Sequence, residues 1–307
     1  MTRFCYGFAV AFCLLSAMTS VADAQGPSMM GPGMYMPTMP GYQGHELVEN
    51  MVVPQFAVGD HYITSMVLLN MGNMAQMPWL TPQALQLTGE IYFYHPDGTP
   101  LRVSINGASS VSTHPFTLAA SGSVSLEVTA SGGDSAGWAL IKVDDDGTNS
   151  WGMMNGQQMM RANRIMATVD YNYKQAGQLI SRAGVIPSLY EMQRYFTSLV
   201  PVQVQDEIRT GMAIVNTSTQ TVTVQLTLSN AGGETIATRQ LILPAGNQIS
   251  AFVDQAQFFE GAFIGPFHGF VRIETSSEGV VAMGIVITEG IMTTITTQHY
   301  GPVSMRF

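Results

Sequence analysis

The chain has 307 residues, enough for two domains that each bury a core, and only 11% of them are charged. Its formal net charge is −9, and its 12 Lys and Arg form no basic cluster that could neutralise phosphates. That excludes nucleic acid as a partner and argues against docking on an anionic membrane surface.

Residues 1–24 read as a signal peptide. Arg3 supplies a positive n-region, Phe8 to Leu15 an apolar stretch too short to span a bilayer, and Ala22-Asp23-Ala24 an A-x-A cleavage site. Cleavage after Ala24 is predicted, giving an exported protein that is secreted, periplasmic or on the cell surface. Both cysteines, Cys5 and Cys13, lie in the leader, so the mature chain is expected to have no thiol chemistry and no disulfide. Ala11-Phe12 ahead of Cys13 does not fit the small-residue pattern that a lipid-modified cysteine needs. No later run is long and apolar enough for a transmembrane helix.

Residues 25–50 are rich in Met, Pro and Gly, as at Gly31-Pro32-Gly33 and Met39-Pro40-Gly41. Such spacing blocks both helix and ladder, so a disordered tail is predicted. From Val53 onward short runs alternate in polarity. Val222, Val224, Leu226 and Leu228 interleave with Thr223, Gln225 and Thr227, and Leu87, Ile91 and Phe93 interleave with Thr88, Glu90 and Tyr92, the period of half-buried strands.

The chain also resembles itself. Thr64 to Asn70 aligns with Thr210 to Asn216 at an offset of 146, each following a Val-Pro pair, Val53-Pro54 and Val200-Pro201. The turn His95-Pro96-Asp97-Gly98 aligns with Asn230-Ala231-Gly232-Gly233 at an offset of 135, and Leu118 to Gly122 with Leu243 to Gly246. The fall in offset places an 11-residue insertion between Asn70 and Leu87. Gly137-Trp138-Ala139-Leu140-Ile141 aligns with Gly269-Phe270-Val271-Arg272-Ile273, and the large aromatic is expected to anchor each core. Four matches in one order indicate a duplication. The expectation is an all-β protein of two tandem immunoglobulin-like β-sandwich domains, at residues 51–190 and 191–307. Glu191 to Leu199 is expected to be a short helical or irregular connection.

The Val-Pro start, the Thr-x-x-x-x-x-Asn strand, the Pro-Asp-Gly turn and the Gly-aromatic strand together resemble an uncharacterised family of secreted bacterial proteins with two tandem sandwich units. The resemblance covers about Val53 to Ser304 and implies fold and export; it carries no catalytic residue across.

Four patterns bear on chemistry. Gly133-Asp134-Ser135-Ala136-Gly137 fits the G-x-S-x-G nucleophile elbow, but an elbow needs a helix after the serine, and here an apolar strand follows. A glycine-rich turn is the expectation. Asp144-Asp145-Asp146-Gly147 suggests a calcium loop, yet that register puts Lys142 and Met153 at ligand positions, so a solvated hairpin turn is expected. The histidines His45, His61, His95, His114, His268 and His299 show no metal-binding spacing. Val303 to Phe307 resembles the last strand of an outer-membrane barrel, while Pro302 and the short upstream strands fit a sandwich-closing strand.

The 22 methionines include clusters at Met29-Met30 and at Met34, Met36 and Met39 in the tail, at Met71, Met74 and Met77 in the insertion, and at Met153-Met154 with Met159-Met160. Thioethers are soft ligands that select Cu(I), and three can close around one ion. An adaptable apolar surface for a protein partner explains them as well. The sequence therefore reads as an exported, non-enzymatic structural or interaction protein, adhesion-like, with a protein or cell-surface partner and no cofactor. The alternative is an extracytoplasmic copper-binding protein using the Met clusters.

Overall fold

A computed structural model describes residues 50–71, 86–144, 153–154, 157–158, 165–185, 187–189, 196–263, 266–295 and 298–300. They hold 21 strands and no helix. The first half of the chain supplies β1 (Asn50–Val58), β2 (Tyr62–Asn70), β3 (Leu87–Tyr94), β4 (Ser104–Ile105), β5 (Thr113–Leu118) and β6 (Ser123–Thr129). It continues with β7 (Ser135–Val143), β8 (Met153–Met154), β9 (Gln157–Gln158), β10 (Ile165–Gln175), β11 (Gln178–Val185) and β12 (Ser188–Leu189).

The main strands form two antiparallel sheets, in the orders β12-β1-β7-β3-β5 and β11-β10-β2-β6-β4. Alternate residues of each turn toward one another: Val53, Ile91, Phe93, Ala139 and Ile141 from the first sheet meet Met66, Leu68, Leu126 and Val169 from the second. The core is thus a sandwich filling. Phe56 and Phe93 pack edge to face with ring centres 5.6 Å apart, which suits the quadrupoles of both rings.

The second half supplies β13 (Phe196–Gln205), β14 (Ile208–Asn216), β15 (Val222–Asn230), β16 (Thr235–Leu243), β17 (Gln248–Phe252), β18 (Phe267–Thr275), β19 (Val280–Thr288), β20 (Ile291–Ile295) and β21 (Gln298–Tyr300). All nine belong to one sheet, ordered β16-β15-β18-β13-β14-β19-β20, with β17 on β14 and β21 on β13. Its two arms join only at the tip of the β13–β14 hairpin, Val204↔Arg209 and Gln205↔Ile208. Both arms face one core, where Val200, Leu226 and Ile273 of one meet Met212, Ile214 and Ala282 of the other. Met66, Leu68, Met212 and Ile214 point inward as their alternation predicts.

The Thr-x-x-x-x-x-Asn segments earn their polar ends structurally. Thr64 and Thr210 are fully buried, and each donates its hydroxyl to a carbonyl seven residues earlier, Ala57 at 2.6 Å and Gln203 at 3.0 Å. The amide of Asn70 reaches the carbonyl of Ala119 at 3.1 Å, and that of Asn216 reaches Leu243 at 3.0 Å and Pro244 at 2.9 Å. Each asparagine thereby pins the turn that leads into the strand paired beside it, β6 or β17. The two predicted turns also form, with Gly98 and Gly233 at φ 79° and 84°, where a side chain is disfavoured.

Two expectations are corrected. Trp138 does not anchor the first core. On β7 the inward residues are Ala139, Ile141 and Val143, and a period of two turns Trp138 to the opposite face. Phe270 of β18 likewise faces outward, beside the inward Val271 and Ile273. What the two segments share is the glycine. A Cβ on Gly137 would lie 2.0 Å from the carbonyl oxygen of Tyr94, and one on Gly269 2.0 Å from that of Ser229, so each strand crosses its neighbour too closely for a side chain. The second correction concerns Glu191 to Leu199, whose last residues are extended, since β13 starts at Phe196.

Both sets of strands lie within one compact unit, Leu47–Phe307, and a seam joins them. Trp138, 3% exposed, packs with Val52 against Val215 and Val281 of the second half. Tyr94 stacks on the indole at 4.4 Å, and the indole N–H donates to the carbonyl of Gly246 at 3.0 Å. Burying such a group contributes about 1.5–3 kcal/mol. The bulge between Val53 and Phe56 aims the Pro54 carbonyl at the seam, where it accepts from the Gln248 amide at 2.6 Å. The backbone N–H of Gln248 donates to Pro96 at 2.7 Å, so the Pro-Asp-Gly turn is a docking element.

Candidate functional site: a groove at the seam

Where the seam opens at one end, it leaves a groove of about 420 Å³, within the range of about 300–1,000 Å³ typical of ligand sites. Both halves build it. The outward face of β19 presents Met283, Ile285 and Ile287, and Met292 of β20, paired with Ile287, continues that wall. Phe252 of β17 stands opposite. The floor is made of small residues, Ala57, Ala136, Gly211 and Ala213, which is why space remains.

Polar groups gather toward the first half. Asp134, in the turn before β7, accepts from the backbone N–H of His61 and from its ring Nδ1, both at 2.8 Å. Desolvation acts to raise its pKa, but the hydrogen bonds from His61 and its electrostatic attraction prevail and hold the carboxyl below the ordinary carboxylate range. This contact is tight: a Cβ on Gly59, at φ 139°, would lie 2.5 Å from the Asp134 Cα. Tyr62 lines the groove beside Asp134 and packs on Tyr173 at 5.1 Å. Burial, then the neighbouring Tyr173 and Asp134, push its phenol pKa up.

Other contacts fix the walls. Tyr171 is buried, donates to the Gln55 carbonyl, and lies 3.9 Å from the Met283 sulfur. Burial drives its pKa far up, so it stays a neutral donor. Arg209 sits 4.0 Å over the Phe252 ring and holds Asp254 through Nη2 at 2.8 Å and Nε at 3.2 Å. Phe252 donates its backbone N–H to Gln255 Oε1 at 2.9 Å.

The sequence-derived candidates fall as follows. Ser135 opens β7 and pairs with Val58, so Gly133 to Gly137 is a turn running into a strand, without the helix of a nucleophile elbow. Asp144 is exposed, bonding Thr88 through its backbone N–H, and Asp145 to Gly147 lie outside the described residues. Met71 follows β2, half-buried. Met34, Met36, Met39, Met74 and Met77 lie outside the described residues, as does Val303 to Phe307. Among the described residues, no three of His, Cys, Asp or Glu gather as a metal site would require.

Sequence reasoning passed over the groove. Asp134 falls at an unspecified position of the G-x-S-x-G pattern, and Met283 and Met292 belong to no methionine cluster. One signal was present. Val280 to Ile287 is continuously apolar where other strands alternate, the mark of a strand covered on both faces. Comparison with known protein families and with curated proteins gives no match for this chain.

Proposed function

We propose that this chain is an exported, non-enzymatic interaction module of two tandem immunoglobulin-like sandwiches, which holds a protein or cell-surface partner at the groove between them. The carrying observation is that groove, built jointly by residues as distant as Gln55 and Met292. The duplication reading draws support from matching strand pairings. β1 pairs with β12 and β7 as β13 pairs with β21 and β18, and β2 pairs with β10 and β6 as β14 pairs with β19 and β17. Export draws support from the tripartite leader, and the family resemblance from the same four segments.

A photo-crosslinking residue tests the reading when placed at Ser250, on the groove, and at Ile242, exposed on β16 away from it. In the protein's own cells, a discrete extracytoplasmic adduct from Ser250 and none from Ile242 is expected. Equal labelling at both positions, or adducts only inside the cytoplasm, contradicts it. The copper reading rests on the sequence clusters alone. It requires the mature protein to compete for Cu(I) against a calibrated chelator, and the triple change of Met71, Met74 and Met77 to Leu to abolish that competition.

A further inference from the structure

Gly211 is a glycine that its surroundings do not require. It lies within β14 on the floor of the groove, and its φ is not positive. A Cβ there would meet the Ala251 and Ile285 carbonyl oxygens at 3.7 and 3.8 Å and the Phe252 ring at 3.8 Å, all ordinary contacts. A Cβ on Gly89, Gly137 or Gly269 would instead lie 2.0–2.3 Å from a backbone oxygen. A glycine inside a strand costs stability, and one that packing does not demand marks a place where something else approaches the backbone.

The register gives the shape of that place. Ala213 lies between Ser250 and Met283, and Gly211 between Phe252 and Ile285, so β17 and β19 raise walls on both sides of a floor without bulk. Arg209, paired with Ile287, comes next along β14. At about 3.3 Å per residue, the floor runs about 13 Å from Ala213 to Arg209. Trp138 closes it beyond Ala213, over Val215 and Val281, and it opens toward Ile287 and Met292. The space is a narrow trough, blind at one end, with methionine walls that adapt to a guest.

The polar groups around the trough are already engaged. β14 is paired along both edges over the floor, and the unpaired peptide of Ser250 faces away from it. Asp134 serves His61 through both oxygens, and Arg209 holds Asp254. Gln55 and Gln255 accept through Oε1 from the Gln248 amide and the Phe252 N–H. Amides or a charge on a guest would lose water there without gaining partners. The hydroxyls of Tyr62, Ser135 and Ser250 are left to meet a small neutral head group.

We propose that the groove takes an unbranched alkyl chain with an uncharged head group, as in a long-chain alcohol or ester lipid. The tail lies over Gly211 and the head stays at the open end. This rests on the groove being the binding site of the module, and it makes the cell-surface partner the bearer of that chain.

The test titrates n-hexanol, n-octanol and n-decanol into the mature protein and follows the methyl resonances of Met283, Ile285, Ile287 and Met292 by NMR. Affinity should rise about tenfold at each step of two methylenes. Decylammonium and decanoate should bind no more tightly than n-decanol. Gly211→Ala should weaken n-decanol binding about tenfold by raising the floor. Its melting temperature should equal or exceed that of the wild type, because the added methyl displaces nothing.

If affinity does not grow with chain length, or naphthylmethanol binds more tightly than n-decanol, the chain assignment is overturned. Tighter binding of decylammonium or decanoate overturns the neutral head. A lower melting temperature in Gly211→Ala makes the glycine structural, and unweakened binding takes the chain off the floor; either overturns the placement. A protein adduct from the crosslinker at Ser250 with no alcohol-induced shifts overturns the alkyl ligand and leaves the interaction module standing. Alkyl binding with no adduct contradicts the module alone.

Discussion

The indole N–H of Trp138 and the carbonyl oxygen of Gly246 lie 3.0 Å apart, joining a strand of the first half to a turn of the second across 108 positions. The contact is polar on one side of the ring and apolar on the other, where Val215 and Val281 cover it. Trp138→Ala should therefore destabilise the whole protein by about 3–5 kcal/mol, measured by urea unfolding. Trp138→Phe keeps much of the packing but leaves the Gly246 carbonyl unmet, so its cost should fall to about 1–2 kcal/mol. Equal, negligible effects from both changes would mean that the seam contributes nothing to stability.

Thr64 and Thr210 predict a paired result. Each hydroxyl serves one backbone carbonyl and one backbone N–H seven residues earlier, at Ala57 and Gln203. Valine has the same shape without the hydroxyl, so Thr64→Val and Thr210→Val should each cost about 1–3 kcal/mol. A large loss at one site and none at the other, again by urea unfolding, would show that the two threonines do different work.

Gly137 and Gly269 make a harsher pair. An added methyl at either overlaps a backbone oxygen of the adjacent strand, which cannot move without breaking its ladder. Gly137→Ala and Gly269→Ala should each destabilise by about 3 kcal/mol or more, or prevent folding. Glycines in open turns, such as Gly107 and Gly132, have no atoms near the added position and serve as controls, although their positive φ still costs something.

Asp134 predicts a pH dependence whose sign follows from its lowered pKa. Its stabilising contribution is fully present above the ordinary carboxylate range and is lost as pH falls through the lowered folded value. Unfolding free energy measured from about pH 7 to about pH 3 should drop less steeply in Asp134→Asn than in the wild type. The difference should shrink in high salt, because the pair is partly exposed. Identical pH profiles would show that the His61 contact does not favour the ionised form.

Much of this fold is legible in the sequence because alternation is a local property. Leu87 to Tyr94 and Val222 to Asn230 betray their strands through a period of two, and the turns at Asp97-Gly98 and Gly232-Gly233 follow from residues that tolerate positive φ. What alternation does not give is which face meets which neighbour. The phase of β7 leaves Trp138 as plausible in a core as in a seam, and only the arrangement of β14 and β19 decides it. The groove was harder still, since it depends on side chains from both halves that no spacing links. Its one local sign is the apolar run Val280 to Ile287, too apolar for a strand with one face in water.

The seam is expected to make the two halves unfold as one body. Differential scanning calorimetry of the mature protein tests that most directly. A single transition is predicted, with the calorimetric enthalpy equal to the van't Hoff enthalpy, and Trp138→Ala should split or broaden it. Two transitions in the wild type, each matching one half expressed alone, would contradict it.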